Sequence, residues 1–417
     1  MPQNSLARLI PFYLIIFIDN LSVSLVLPVL IPISYDPSAG LIAVGGSGTR
    51  DVFYGLAIGL YSLAMFFGAP LLGSLSDLFQ RKRTLALCLS GLFVGYALTV
   101  WAMLSKDVVL FLAGRVVCGL FSGSLPVAQA AIIDVTPKEH RVTAIGRIMF
   151  WVSMGYVAGP LIGGYLSDAT LVSWFTLQTP FVFVAGATLL NLVILLVTYR
   201  EQRVAKPADG FSLPNPVARL VEAFRFPGIR VLSVALLLMS LGWTAFFQFI
   251  GLYLTANEGF DQRTVGNLIS VVGVGLAAAF LVFVPLTAKW ARPMAVVPAA
   301  LLIMTACIVA TTLTGAVAVL YPVGLLGAIG YGLAYSGLVG LMSVAVDDSH
   351  QGSIMGMAGA IAASSAGVTG VVFGLIDGAG LLPILSAAVL VLLAAVLMGV
   401  RSTAVEPAAN AGVDGNG

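Results

Sequence analysis

The chain has 417 residues, of which 59% are hydrophobic and 9% are charged, and its mean hydropathy is +1.04. This composition is typical of an integral membrane protein and excludes an ordinary soluble domain. The formal net charge is only +2, and without a basic face it does not indicate a nucleic-acid partner. Cys88, Cys118 and Cys307 lie in apolar stretches and show neither a disulfide framework nor metal-ligand spacing.

Charged and turn residues divide the chain into twelve apolar spans, each near the ~20 residues that cross a bilayer as a helix. We therefore predict an all-α integral membrane protein with both termini on one side. The predicted spans are 9–33, 53–75, 84–104, 108–133, 144–166, 175–198, 230–256, 264–287, 294–313, 317–344, 353–376 and 382–400.

A polar segment at 199–229 separates six spans from six. It predicts an N-terminal six-helix bundle (1–198), a cytoplasmic linker (199–229), a C-terminal six-helix bundle (230–400) and a disordered tail (401–417). Weak similarity between the halves, such as Asp134 with Asp347 at an offset of 213 residues, indicates a duplicated unit with pseudo-symmetry.

The linker contains an apolar periodicity after Asn215-Pro216, formed by Val217, Leu220, Val221 and Phe224. It predicts an amphipathic helix on the inner membrane surface. Such a helix is either a strut that couples two moving halves or a linker that merely dips into the interface.

The distribution of Lys and Arg predicts the orientation. Sixteen of the 20 flank the side of the termini, three (Arg50, Lys106 and Arg263) flank the other, and Arg115 lies within a span. The positive-inside rule then places both termini in the cytoplasm.

Two charges, Asp19 and Arg115, lie deep within predicted spans. A charge at the bilayer centre costs on the order of 3 kcal/mol and is usually retained for function or for a partner. If substrate and proton compete for Asp19, the carrier exchanges one for the other by alternating access and is driven by a proton gradient without a cofactor. The alternative is a structural Asp19–Arg115 ion pair, which would leave facilitated diffusion open.

The fifth span contains Gly-Tyr-Val-Ala-Gly-Pro-Leu-Ile-Gly-Gly at 155–164. Gly155, Gly159 and Gly163 share one helix face, with Pro160 and Gly164 beside it, so a neighbouring helix can approach closely. A packing seam alone would explain the Gly-x-x-x-Gly spacing. The full string resembles the fifth-helix signature of the drug/proton antiporter branch of the major facilitator superfamily.

Two further motifs resemble this superfamily. The loop after the second span matches its cytoplasmic motif at Gly73, Leu75, Asp77, Arg81, Lys82 and Leu85, whereas Leu78 and Gln80 stand where Arg and Gly are usual. We expect a gate in which Asp77 meets a helix N-terminus and Arg81 meets Asp134.

The resemblance of Arg115 and Gly119 to the fourth-helix signature links Arg115 to proton transfer, although Cys118 stands where Gln is usual.

Asp19 and the residues that follow it resemble the first helix of tetracycline-type and multidrug antiporters. The resemblance implies a bundle of two six-helix halves and a location in the cell membrane, here a bacterial inner membrane. The expected substrate cavity comprises Asp19, Asn20, Arg115, Trp243, Phe246, Phe247, Gln248, Tyr331 and Tyr335. Aromatic packing between helices or at the lipid boundary is an equally good interpretation of any single aromatic member.

We therefore expect a monomeric, proton-coupled efflux transporter for a small amphiphilic organic molecule, with lipid, protons and substrate as its partners. The substrate is a drug-like compound or a self-made metabolite, and a siderophore exporter of narrow specificity stays open. A proton symporter for uptake is the first rival, and a membrane receptor or scaffold is the alternative outside transport. An enzyme is disfavoured because the spans bring few nucleophiles, bases or metal ligands together.

Overall fold

The computed structural model describes residues 4–36, 41–42, 46–137, 140–199, 215–225, 228–346 and 351–411. Within these ranges the regular structure is helical. The helices are α1 (Asn4–Tyr35), α2 (Ser47–Phe79), α3 (Arg81–Ser105), α4 (Val108–Phe121), α5 (Ser124–Asp134), α6 (Arg141–Leu166), α7 (Thr179–Thr198), α8 (Pro216–Arg225), α9 (Arg230–Glu258), α10 (Gln262–Ala278), α11 (Val284–Trp290), α12 (Pro293–Ala310), α13 (Val317–Val344), α14 (Gln351–Ile376) and α15 (Leu382–Ala411).

The described residues contain twelve helical stretches long and apolar enough to cross a membrane, as predicted. Their ends differ from the predicted ends by at most five residues, the largest difference being Gly48 against 53. Two spans are not single α-helices. The fourth consists of α4 and α5 in succession, and a π-helical turn, Ala279–Phe283, joins α10 to α11 in the eighth. Hydropathy measures the length of a crossing and is insensitive to such breaks.

The twelve spans form two six-helix bundles, α1–α7 and α9–α15. One apolar core, from Ala223 to Met398, belongs to the C-terminal bundle, and a second, from Leu9 to Leu195, belongs to the N-terminal bundle. A third core extends across both, because Phe249 and Ile269 of the C-terminal bundle pack with α1 and α2. We call the side where α1 begins the terminal face and the opposite side the distal face.

Glycines allow the bundles to meet closely toward the distal face. In α2 and α14, a Cβ on Gly55 would lie 2.5 Å from the Cα of Gly374. In α6 and α10, a Cβ on Gly266 would lie 2.5 Å from the Pro160 oxygen. Real Cβ atoms do not approach other atoms within 3.0 Å, so these two seams require glycine.

The small-residue face predicted in the fifth span packs against α1. A Cβ on Gly155 would lie 2.7 Å from the Phe17 oxygen, and Cβ atoms on Gly159 and Gly163 would collide with the α1 backbone at Leu21 and Leu25. Gly164, beside this face, instead meets the start of α10, where the Gln262 oxygen would lie 2.8 Å from an added Cβ. The signature therefore serves two neighbours, one within its bundle and one across the bundle interface.

Helix α8 follows the predicted amphipathic segment but packs on protein. Ala223 is fully buried, and Leu220 and Phe224 lie against the C-terminal core, whereas Val217 and Val221 are exposed. Residues 200–214 of the predicted linker, together with Asp347, lie outside the described residues. Helix α15 continues to Ala411, so the first eleven residues of the predicted disordered tail are helical, and 412–417 lie outside the described part.

Candidate functional site

Asp19 lies in the middle of α1 and is 8% exposed. Its carboxylate Oδ2 accepts a hydrogen bond from Ser124 Oγ at 2.5 Å, and the backbone N–H of Leu125 also stabilises its negative charge. Both donors belong to the first turn of α5. The break between α4 and α5 therefore places the start of a helix, with its free N–H groups, against a buried acid.

Arg115 is 3% exposed, and its polar contact is with α2 rather than with Asp19. Its Nε donates to the Ala57 oxygen at 3.0 Å, and its guanidinium carbon lies 4.6 Å from the centre of the Tyr61 ring. Among the described side chains no ion pair joins Arg115 to Asp19, so the structural ion pair considered above is absent. The Arg115 charge is instead stabilised by a carbonyl of α2 and by the face of an aromatic ring.

Tyr61, Ser122 and Ser124 complete the polar cluster around Asp19. The Tyr61 hydroxyl lies 2.5 Å from Ser122 Oγ, so a short series of contacts connects Arg115, Tyr61 and the break between α4 and α5. Sequence reasoning missed these three residues because it searched for charges. The available signal was Ser122-Gly123-Ser124, followed by Pro126, inside an apolar span.

The structure brings four of the predicted aromatic residues together in one stack. The Trp243 ring lies 4.4 Å from that of Tyr331 with an interplanar angle of 16°, and 5.7 Å from that of Phe247. Tyr335 extends the stack beyond Tyr331 at 5.8 Å. Tyr156 of the N-terminal bundle meets Phe247 edge-on at 6.4 Å. The stack thus reaches the interface between the bundles.

Three other predicted cavity residues are held by the protein itself. Asn20 donates from Nδ2 to the Ile16 oxygen of its own helix at 2.7 Å. Gln248 donates to the Ala366 oxygen at 3.0 Å, and Phe246 is buried in the C-terminal core. In this structure the three side chains therefore contact protein atoms.

The loop motif forms a network at the terminal face. Arg81 contacts Asp77 Oδ1 from Nη1 at 2.7 Å and Asp134 Oδ2 from Nε at 3.0 Å. Lys82 Nζ donates to the last carbonyls of α7, the Leu196 oxygen at 2.9 Å and the Tyr199 oxygen at 2.6 Å. Arg81 thereby joins α2 to α5, and Asp77 is bound by Arg81 itself.

Two motif positions are explained by backbone geometry. Gln80 has φ 80° and ψ 146°, a conformation that favours glycine. The family's usual glycine at this position is thus the residue that the turn requires, and Gln80 occupies the turn under strain. In contrast, a Cβ on Gly73 would meet open space, so packing within the chain does not require glycine there.

A further polar contact joins the bundles at the distal face. Arg263 Nε lies 2.5 Å from Asp168 Oδ2, and Arg263 Nη2 donates to Thr170 Oγ1 at 3.2 Å. Hydrogen bonds from the Thr170 hydroxyl and N–H, together with the Arg263 charge, hold the pKa of Asp168 below its ordinary value despite partial desolvation. The carboxylate is therefore charged at neutral pH and available to pair with Arg263.

Comparison with known proteins identifies the family. The family model described as Major Facilitator Superfamily matches residues 12–371. The chain belongs to the major facilitator superfamily. It is therefore a membrane transporter, in a family whose members are not enzymes. Within the described residues, no cluster of three or more His, Cys, Asp or Glu could hold a metal ion.

Several proteins of known sequence or structure are similar to this chain. The class C tetracycline resistance protein of Escherichia coli is 30% identical over 358 residues, covering 82% of this chain and 83% of that protein. The human organic anion transporter MFSD10 has the same fold, with a TM-score of 0.68 at 20% identity over 95% of this chain and 100% of that one. A bacterial homolog of the lysosomal transporter Spinster has a TM-score of 0.73 at 17% identity, over 97% and 98% of the two chains.

Proposed function

We propose that this transporter exports a small amphiphilic organic molecule in exchange for protons. The observation that carries the proposal is the placement of Asp19, a buried acid that accepts a hydrogen bond from the Ser124 hydroxyl while Arg115 is bound elsewhere. An acid without a fixed counter-ion can gain and lose a proton without breaking a buried ion pair. This is the property that a coupling residue needs.

The two-bundle architecture supports transport by alternating access. The glycine seams and the Arg263–Asp168 pair hold the bundles together at the distal face, whereas the network around Arg81 lies at the terminal face within the N-terminal bundle. Rocking of one bundle against the other would open the distal side and expose the centre to it. The proposal places the termini in the cytoplasm of a bacterial cell, so the distal side is the external side.

The aromatic stack supports an amphiphilic substrate with a flat apolar part. Phe247, Trp243, Tyr331 and Tyr335 stack in series, and a planar apolar group would extend such a stack at its end or insert between its rings. The likeness to a tetracycline resistance protein supports efflux of such a compound. Asp19, in the N-terminal bundle, would bind a polar or cationic part of the same molecule in competition with a proton.

The test uses purified protein in liposomes with a pH-sensitive dye inside. Tetracycline and a panel of lipophilic cations are the probes, and wild type is compared with Asp19→Asn and with Asp107→Asn. The latter is a matched control because Asp107 caps α4 at the surface, and Asn caps a helix equally well. Proton movement opposite to the probe, lost in Asp19→Asn and kept in Asp107→Asn, is the expected result.

Other outcomes would redirect the proposal. Movement of probe and proton in the same direction would identify a symporter. Transport that keeps its proton dependence in Asp19→Asn would show that Asp19 is structural and that another residue couples. Probe movement that never responds to a proton gradient in wild type would identify facilitated diffusion.

A further inference from the structure

The fourth span is interrupted at Ser122–Gly123, between α4 and α5. Three local features explain the interruption. Gly123 lies against α2, where an added Cβ would be 2.7 Å from Leu72 Cβ, so the chain there is pressed onto its neighbour. Pro126 lies in the first turn of α5, where its missing N–H breaks no helical hydrogen bond. Serine flanks the glycine on both sides, and serine is a weaker helix former than alanine or leucine.

The break determines what surrounds Asp19. Ser124 is fully buried, and its Oγ donates to Asp19 Oδ2, so the hydroxyl has no access to bulk water as an alternative partner. The adjacent N–H of Leu125 also stabilises the charge of the carboxylate. An unbroken helix would bind that N–H to the carbonyl four residues earlier. The interruption therefore leaves the Leu125 N–H without a helical partner, one residue from the side-chain donor to Asp19.

The titratable and charged groups near Asp19 come from three helices. Tyr61 in α2 and Cys88 in α3 both interact electrostatically with its carboxylate. Arg115 in α4 lies over the Tyr61 ring. Helix α6 also packs against α1, and it contributes Gly155 and Gly159 to that contact. The direct hydrogen bond to the carboxylate comes from Ser124 at the start of α5. Among the described residues, Tyr61, Cys88 and Arg115 make no hydrogen bond to it.

We propose that Ser124 is a positioning residue for proton coupling: its hydroxyl, together with the first turn of α5, holds the ionised Asp19 carboxylate and sets the pH at which Asp19 takes up its proton. Donors to a carboxylate stabilise its charged form, and a protonated carboxyl needs fewer of them. Proton uptake therefore weakens the contact between α1 and α5. This inference rests on the proposed coupling role of Asp19.

The experiment measures protonation of Asp19 directly, without a transported substrate. Infrared difference spectra of the reconstituted full-length protein are recorded against pH, and the C=O band of protonated Asp19 is identified by its loss in Asp19→Asn. Ser124→Ala is compared with Ser34→Ala, which removes a fully buried hydroxyl of α1 that bonds only to the Leu30 oxygen of its own helix.

We expect the midpoint of the Asp19 band to move to higher pH by about one unit in Ser124→Ala, a tenfold change in proton affinity. Ser34→Ala should keep the wild-type midpoint, and Ser124→Thr, which retains the hydroxyl, should restore it at least in part. An unchanged midpoint in Ser124→Ala overturns the inference, as does the absence of an Asp19 band over the pH range in which the protein stays folded.

The result separates this inference from the proposed function. If the band shifts in Ser124→Ala but Asp19→Asn still couples transport to protons in liposomes, the positioning role stands and the coupling role fails. If Asp19→Asn uncouples transport while the Ser124→Ala midpoint is unmoved, the reverse holds. The unfolding temperature and the size-exclusion profile of each variant are also measured, and wild-type values exclude misfolding as the cause of a shifted midpoint.

Discussion

Replacing Gly55 by alanine should disfavour closure of the two bundles at the distal face. The added Cβ would lie 2.5 Å from Gly374 Cα and 3.0 Å from Gly374 N, and it would also collide with the Gly370 oxygen. All three obstacles are backbone atoms, so no side chain can rotate away. Ordinary contact begins at 3.4 Å, and 3.4 − 2.5 gives a required separation of about 1 Å between α2 and α14.

The cost of such overpacking is typically about 1–3 kcal/mol. Because the clash is between bundles, rocking them apart relieves it, and the cost falls on the distally closed state rather than on the fold of either bundle. A penalty of this size changes the equilibrium between closed and open states by about 5- to 150-fold. The variant should therefore fold normally but populate the distally open state much more.

Pulsed electron paramagnetic resonance measures the separation directly. Spin labels at Leu171 and Leu381, exposed positions in distal loops of the two bundles, are introduced after removal of the native cysteines. Gly55→Ala should show a longer distance between the labels than wild type. Gly48→Ala is the control, because a Cβ at Gly48, on the same helix, meets nothing within 4 Å. A Gly55→Ala distance distribution that matches wild type would refute the reasoning.

Three further changes test other parts of the structure. Gln80→Gly should raise the thermal unfolding temperature by relieving about 1 kcal/mol of strain at φ 80°, and a lower temperature would contradict this. Gly159→Leu should yield no monodisperse protein on size-exclusion chromatography because α1 blocks its side chain, whereas Gly146→Leu, which faces open space, should be tolerated. Asp168→Asn should open the distal face slightly at neutral pH, by ~0.2–1 kcal/mol for a partly exposed pair, in the same label-distance assay. Since the pKa of Asp168 is lowered, its contribution is present above the ordinary carboxyl pKa and is lost as pH falls through the lowered value, so the variant and wild type should converge in acid; a constant difference would contradict the pairing.

The sequence was sufficient for the membrane topology. A crossing of the bilayer requires a minimum apolar length whatever its neighbours are, so twelve spans could be read from hydropathy alone. The glycines at 155, 159 and 163 were also interpretable, because helical periodicity places them on one face before the partner helix is known. The family resemblance rested on these same residues, and the match over 12–371 confirms it.

Only some residues of the candidate site could be predicted from the sequence. Asp19 and Arg115 stood out because a charge in an apolar span is costly wherever it lies. Their partners did not, since hydroxyls such as Ser124 and Tyr61 are common in membrane helices and acquire meaning only through what they touch. The Asp19–Arg115 ion pair, considered as the structural alternative to proton coupling, does not form among the described side chains. Opposite charges within apolar spans make such a pair plausible from sequence, but the fold gives each charge its own neutral partners.

The sequence by itself determined how many times this chain crosses the membrane, which spans carry charge and which helix faces are small, because these properties depend on length, composition and the period of a helix. Only the tertiary structure decided that the fourth span breaks beside Asp19, that Arg115 turns to Ala57, and that the glycine seams join the bundles at the distal face. Those outcomes depend on packing between segments far apart in the chain, where a few tenths of an ångström decide which donor reaches which acceptor.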